Sequence, residues 1–384
     1  MISNLFPSPG RPHRATFNRQ HYAALSKFFD VRVICPLSWT EVMGSARSRE
    51  RSKVIEGIQV DYPVYYFPPR ILRRYYGWFL WQSIRETARS VATEFKPDVV
   101  VASWAYPDGY AAAKLSRVLN LPLAVQVLGS DINQLDLFPD KSTRTWTTLR
   151  QADIIIPVSK ALQTRILENG IAPERIKVVY RGVNTELFHP ADKLSAREEL
   201  SLDPKNPILL FAGNLVPVKS VDTLVAATAQ VVSEKHPMLV THVIGDGPLK
   251  SALKSQASAL GIANNIHFHG TIPHSSLPTW IAAADVVVLP SLHEGVPNIL
   301  LETIASHRPY VASRTGGIPE ISSHGSCRLF PPGNVTALAE AILAMLRCDN
   351  HPTAADLPCA SWDDAGQNLA ATLSETIARW KSEQ

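Results

Sequence analysis

The sequence predicts an α/β chain of two Rossmann-like domains, each a doubly wound parallel sheet with helices on both faces. Three observations lead there. At 384 residues the chain is long for one core and suits two, since a domain usually holds about 100–200 residues. Short runs rich in Val and Ile, at residues 31–35, 98–102, 123–127, 154–158 and 177–180, alternate with longer helical patterns, as βα units do. The alternation stops in the polar, Pro-containing stretches 189–193 and 203–207, then restarts at 208–211, 239–244, 266–269, 286–289, 309–312 and 328–330. A domain boundary is placed in that break. Ligands of such sheets bind outside the carboxyl ends of the strands, so two facing halves would hold the site in an interdomain cleft. The first strand is short, because the sequence starts a few residues before the turn Pro7, Ser8, Pro9, Gly10. Either that strand is clipped or the natural start lies upstream.

Composition narrows the class. With 45% hydrophobic and 19% charged residues the chain suits a packed soluble protein, and no uninterrupted apolar run of about 18 residues offers a membrane span. The first residues have no basic region followed by an apolar one, so no secretory leader is expected and the cytoplasm is. Cys35, Cys327, Cys348 and Cys359 show no Cys-x-x-Cys spacing, which argues for ordinary reduced thiols over a disulfide framework or a zinc knuckle. A net charge of +4 is below that of a dedicated nucleic-acid binder, so no nucleic-acid partner is expected, while an anionic substrate or lipid surface fits.

The chemistry concentrates after the run 286–289. There Ser291, Leu292, His293, Glu294, Gly295, Val296, Pro297 and Asn298 precede an apolar-periodic helix through Ile299, Leu300 and Ile304. Gly295 permits a tight turn, Pro297 suits a first helical position, and the amides beyond it make an anion site fit for a diphosphate. Glu294 and Glu302 would stand roughly 12 Å apart on a continuous helix, so one element could touch both ends of an extended nucleotide sugar. Carboxylates repel phosphates and accept hydrogen bonds from hydroxyls, which gives the sugar to Glu294 and the ribose to Glu302. Spacing alone favours a plainer alternative, a loop and an amphipathic helix bearing two solvated acids.

The segment from Glu294 to Glu302 resembles the E-x7-E motif of glycosyltransferase family 4, retaining enzymes of the GT-B fold, together with the trailing Thr315, Gly316, Gly317, Ile318, Pro319 and Glu320. The similarity runs along most of the chain, through residues 180–185, 211–219, 244–249 and 283–285. Residues 4–7, 17–20 and 129–133 resemble the branch holding teichuronic-acid and exopolysaccharide transferases. The resemblance implies a GT-B architecture with an acceptor-binding domain over residues 1–187, on which a helix of about 365–384 packs back, and a nucleotide-sugar-binding domain over 188–364. It implies transfer of a hexosyl unit from a UDP- or GDP-sugar to a glycan or lipid-linked acceptor in cell-surface polysaccharide biosynthesis, with retention at the anomeric carbon. No cofactor is implied, and a metal is not expected, since no Asp-x-Asp occurs in the chain.

Residue by residue, the resemblance gives Glu294 the sugar, Lys219 the leaving diphosphate and Glu302 the ribose. Gly295, Asn298 and Ile299 would line the phosphate site, with Asn214, Gly245 and Gly247 beside the nucleotide. A fixed ammonium and helix-end amides supply positive charge where the leaving group becomes negative. Asp131 is read two ways, as a contact to the acceptor and as a cap of the following helix. At two positions the chain departs from the family: Asn214 stands where an Arg usually precedes Lys219 by five residues, and Leu128 where a His often precedes the Gly129, Ser130, Asp131 turn. The front-face mechanism often described for the family, in which the leaving phosphate assists deprotonation of the acceptor, needs no protein base.

Two other readings stay open: a non-catalytic partner that binds a nucleotide sugar, to which both departures point, and an isomerase or phosphorylase on the same scaffold. His267 and His269 alternate along a strand and are read as ordinary strand residues, not metal ligands. In residues 70–81, Ile71, Tyr75, Trp78 and Phe79 fall opposite the stripe Leu72, Tyr76, Leu80, Ile84, Ala88 and Val91, beside Arg70, Arg73 and Arg74. Two readings balance there, a peripheral contact with the inner face of the plasma membrane and a cap that packs its aromatics internally.

Overall fold

The computed structural model describes residues 1–12, 14–44, 50–69, 71–322, 325–347 and 361–384. They form two compact units, Met1–Gly182 with Trp362–Gln384, and Val183–Ser361. Both are α/β.

The first unit begins with α1 (Thr16–Leu25), β1 (Arg32–Ile34), β2 (Leu37–Ser38), α2 (Trp39–Gly44), β3 (Ser52–Ile55), β4 (Ile58–Asp61) and β5 (Val64–Tyr65). It continues with α3 (Tyr76–Phe95), β6 (Val100–Ser103), α4 (Asp108–Leu119), β7 (Leu123–Val127), α5 (Ser130–Asn133), α6 (Pro139–Leu149), β8 (Ile154–Pro157) and α7 (Lys160–Glu168). The short first strand is central. Ile2 bridges Ile34 of β1 on one side and Ala102 of β6 on the other, both in parallel, so the order runs β3-β4-β1-Ile2-β6-β7-β8. Every residue of β6, β7 and β8 is buried, which is why these runs read as continuously apolar instead of alternating.

Two departures from the sequence reading occur here. Residues 52–61 form a hairpin whose outer strand, β3, is antiparallel to β4; its turn uses Glu56 and Gly57 at positive φ. Residues 177–180 are no strand. Ile176 makes a single bridge to Ile155, and the amides of Lys177 and Val179 donate to the carbonyls of Ile155 and Pro157.

The second unit holds α8 (Lys193–Glu199), β9 (Ile208–Ala212), α9 (Val221–Glu234), β10 (Val240–Ile244), α10 (Lys250–Ala259), β11 (Ile266–Gly270) and α11 (Leu277–Ala283). After these come β12 (Val286–Leu289), α12 (Asn298–Ala305), β13 (Tyr310–Ser313), β14 (Cys327–Phe330) and α13 (Val335–Leu346). Its six strands are all parallel in the order β11-β10-β9-β12-β13-β14. The chain therefore builds outward from β9 to β11 and returns to the other side of β9 with β12. That reversal is a topological switch point, where the loops leaving adjacent strands diverge and open a crevice.

A last helix, α14 (Trp362–Ser382), belongs to the first unit. Leu369 and Leu373 join Leu25, Val101, Ala124 and Ile154 in one apolar cluster. Gly366 lets α14 approach α1, since a Cβ there would come within 2.7 Å of the Ala24 Cβ. Among the described residues no helix is long and apolar enough to cross a membrane. Cys35 and Cys327 are buried, and neither is in a disulfide among the described residues; Cys348 and Cys359 lie outside the described residues.

Candidate functional site

At the carboxyl edge of the second sheet, the loops after β9, β10, β12 and β13 are tied together by their backbones. The Leu292 amide donates to Val218 O at 2.8 Å, Gly317 to Gly295 O at 2.8 Å, Leu215 to Asp246 O at 2.9 Å and Gly213 to Ile244 O at 2.9 Å. The contacts are too close for side chains at three glycines. Gly245, at φ 131°, would drive a Cβ into the Gly213 carbonyl, and Gly316, at φ 54°, into the Glu294 carbonyl. Gly247 meets the carbonyl of Leu215 in the same way.

This stitching brings Lys219 and Glu294 together at the switch point. Lys219 ends a single 3-10 turn (Pro217–Lys219) after β9, and its Nζ lies 2.5 Å from Oε1 of Glu294. Both are partly buried, where the attraction between opposite charges exceeds that of an exposed pair. Glu294 is not helical: α12 starts at Asn298, with Pro297 as the capping residue in extended backbone. The two carboxylates therefore do not share one helix, and Pro297, expected at the first helical position, precedes it instead; the turn at Gly295 and the fixed φ of Pro297 hold the preceding residues outside α12.

Glu302 sits inside α12 and is only 9% exposed. Its Oε1 lies 2.8 Å from Nε2 of His274, whose ring packs on Phe188 with centroids 5.2 Å apart. Asn298 and Ile299, in the first turn of α12, are half-buried, while Asn214 is exposed at the start of the β9 loop. Nine of the ten site residues expected from the sequence thus gather on one sheet edge. Asp131 belongs to the other unit.

There Asp131 is 6% exposed. Its Oδ1 accepts from the amides of Leu128 at 3.0 Å and Gly129 at 2.9 Å, and its Oδ2 from Ala105 at 3.1 Å. Gly129 holds the N-cap position of α5, with no side-chain cap, so the carboxylate clamps the loops after β6 and β7 instead of capping the helix in the usual way. Leu128 is half-buried against the core. Beside this clamp, Asp108 is fully buried at the start of α4; Oδ2 accepts the Asn4 amide at 2.8 Å and Oδ1 has no partner among the described residues. Burial pushes its pKa up to about 8, against the Asn4 hydrogen bond and Arg14, which pull it down.

Sequence reasoning missed His274 and Asp108. His274 carries no motif, and Asp108 reads as a common first-turn acid. It also underdescribed the histidines: Nδ1 of buried His242 lies 2.8 Å from Nε2 of His269, and both rings pack against Trp280. Burial, then the neighbouring His269 and His267, lower the His242 pKa to about 3. No group of three or more His, Cys, Asp or Glu among the described residues is arranged to hold a metal.

In the segment 71–81, Leu80, with Ile84, Ala88 and Val91 beyond it, is buried, as the stripe requires. Leu72 departs from it: it precedes the helix at φ 54° and is exposed with Ile71 and Trp78. Tyr75 and Phe79 are half-buried, Tyr75 under the guanidinium of Arg74 at 4.9 Å. Arg70 lies outside the described residues.

Comparison with known proteins finds relatives across both units. Residues 16–187 match the model of "Glycosyltransferase Family 4" and residues 206–348 that of "Glycosyl transferases group 1". A candidate teichuronic acid biosynthesis glycosyltransferase of Bacillus subtilis, TuaC, is 26% identical over 89% of this chain and 87% of its own. A D-inositol 3-phosphate glycosyltransferase of Thermobispora bispora is 32% identical over 72% of this chain and 67% of its own. Among solved structures, HepE of Anabaena in complex with UDP-glucose superposes with a TM-score of 0.70 at 21% identity, over 100% of this chain and 99% of that one.

Proposed function

We propose a reaction for this chain, which belongs to glycosyltransferase family 4 and has the GT-B fold: transfer of a hexosyl unit from a UDP- or GDP-sugar to a glycan or lipid-linked acceptor of a cell-surface polysaccharide, with retention. One observation carries the reading, the convergence of Lys219, Glu294 and the start of α12 at the switch point of the second sheet. A diphosphate on the α12 amides beside Lys219 meets positive charge where the leaving group gains negative charge. Glu294 accepts from the sugar hydroxyls, and Glu302 from those of the ribose. Gly245 and Gly247 keep the nucleotide wall free of side chains. In the first unit, Asp131 positions the loops after β6 and β7 that face the acceptor. The lone pair for attack is freed by the leaving phosphate itself, so neither a metal nor a protein base is required. The UDP-glucose complex of HepE supports a nucleotide-sugar donor, and the TuaC likeness supports a polysaccharide acceptor.

The same reading places the protein in the cytoplasm, peripherally bound to the membrane where a lipid-linked acceptor resides. Exposed Ile71, Leu72 and Trp78 beside exposed Arg73 and Arg74 support it.

A thermal-shift screen against UDP- and GDP-sugars, followed by nucleotide release with a membrane extract, tests the reaction. Release that depends on Lys219 and Glu294 is expected; unchanged release after Lys219→Ala and Glu294→Ala would overturn the assignment. Binding without release favours the second reading, a nucleotide-sugar-binding partner, to which Asn214 and Leu128 point.

A further inference from the structure

A second cavity lies at the opposite edge of the second unit's sheet. Pro207, Asp285 and Pro309, which precede β9, β12 and β13, form its floor, with α8 and the end of α13 as walls; its volume is about 340 Å³. A strand rises about 3.3 Å per residue, so the length of β9 separates this cavity from the Lys219 loop by roughly 15 Å.

Its charge is unbalanced. Lys193, Arg197, Lys205 and Arg308 line it, with Asp285 as the single carboxylate among the described lining residues. That carboxylate is fully engaged: Oδ1 takes Lys193 at 2.9 Å, and Oδ2 takes Arg197 at 2.7 Å and the Ile208 amide at 2.7 Å. Arg197 is 2% exposed and locked further by the carbonyls of Ala283 and Pro204. Arg308 is different. Its Nη2 donates to Ala191 O at 2.8 Å, but its buried Nε has no hydrogen-bond partner among the described residues. Burial lowers its pKa, Arg197 adds to that, and Asp285 and Asp192 oppose it. Asp192 is exposed and its Oδ1 caps α8 through the Ser195 amide. The exposed Lys205 ammonium has no partner among the described residues.

A buried donor left unsatisfied costs free energy that a bound anion recovers, and the surplus of cationic side chains around it favours an anion over a neutral ligand. A phosphate brings close to two negative charges and three strong acceptor oxygens, which suits a guanidinium edge flanked by ammonium groups. The volume falls at the small end of the range for small-molecule sites, about 300–1,000 Å³. We propose that this cavity binds a small phosphorylated metabolite, with its phosphate on Arg308, Lys205 and Lys193 and the rest of the molecule in the polar recess towards His236.

Isothermal titration of the full chain with inorganic pyrophosphate and with glucose 6-phosphate tests this. Saturable binding of at least one probe is expected, with a component that Arg308→Gln weakens about tenfold or more and that persists in Lys219→Ala, which removes only diphosphate binding at the other sheet edge. Binding of pyrophosphate alone identifies a bare phosphate ligand, and stronger binding of glucose 6-phosphate identifies a sugar phosphate; either supports the site. Circular dichroism checks that Arg308→Gln folds, and Lys205→Gln, an exposed change, is expected to weaken binding as well. No saturable binding of either probe, or equal affinity in wild type and both cavity variants, would overturn the proposal. A loss of donor turnover in Lys219→Ala with cavity binding intact shows that the two sites stand independently.

Discussion

The ammonium of Lys219 and the carboxylate of Glu294 lie 2.5 Å apart although 75 positions separate them in the sequence. The Val218–Leu292 backbone hydrogen bond sets that meeting. If both act on one donor, their losses overlap. Lys219→Ala and Glu294→Gln are each expected to lower nucleotide release by about 10²–10³-fold, and the double variant by far less than the product. Steady-state rates of the three variants check this; multiplicative losses would mean that the two residues act separately.

His274 holds Glu302, which in the proposed reaction takes the ribose and not the reacting bond, so it is a positioning residue. His274→Ala is expected to raise donor KM about tenfold, with kcat nearly constant. His274→Gln, which keeps a donor in reach, should recover part of the loss. A fall in kcat with KM unchanged would refute the assignment.

Asp108 predicts a pH dependence of stability. Its ordinary pKa of 3.8 rises to about 8 in the folded chain, so between these values the folded state binds the proton more strongly than the unfolded one. Its contribution is therefore complete below about pH 4 and lost as pH rises to about 8. Buried His21 acts the other way: with its pKa lowered to about 4, it costs stability as pH falls below 6.5. Asp108→Asn should remove the first effect and keep the second. Melting temperatures from pH 4 to 9 are expected to show the variant gaining on wild type as pH rises.

Gly316→Ala would place a Cβ in the left-handed region and against the Glu294 carbonyl. A loss of about 1–3 kcal/mol is expected, together with weaker donor binding, because the shift acts on the loop carrying Glu294. Urea unfolding and a donor thermal shift measure the two effects. Gly170→Ala, also at positive φ but in open space, isolates the conformational cost.

The segment around Trp78 predicts vesicle binding. Replacing Ile71, Leu72 and Trp78 with Ser should abolish flotation with anionic liposomes while leaving the fold unchanged. Retained flotation of the variant would locate the membrane contact elsewhere, and a wild type that does not float would remove it.

Most strands were legible because β6–β8 and β9, β10, β12 and β13 are buried on both faces, and their apolar runs have few other solutions. The hairpin β3–β4 was not: β3 is largely exposed, so its pattern carries no period. Glu294, Gly295 and Glu302 were legible as a cluster through the turn residues between them. Their geometry was not, since a capping proline and a helix-forming stretch look alike in a row of letters until the loop's partners are known. Lys219 was placed by resemblance. The pairings that fix it, and those of His274 and Asp108, join residues far apart in the chain, and periodicity cannot report them.

The return of α14 to the first unit has a consequence for biosynthesis. Leu369 and Leu373 fill the cluster around Leu25 and Val101, so the first unit lacks part of its core until the whole of Val183–Ser361 has been made. At about 5–20 residues per second that is a delay on the order of ten to forty seconds. Through that interval the apolar side chains that α14 will cover, Leu25 and Val101 among them, lack that cover, while every strand of the second unit's sheet is already contained in Val183–Ser361.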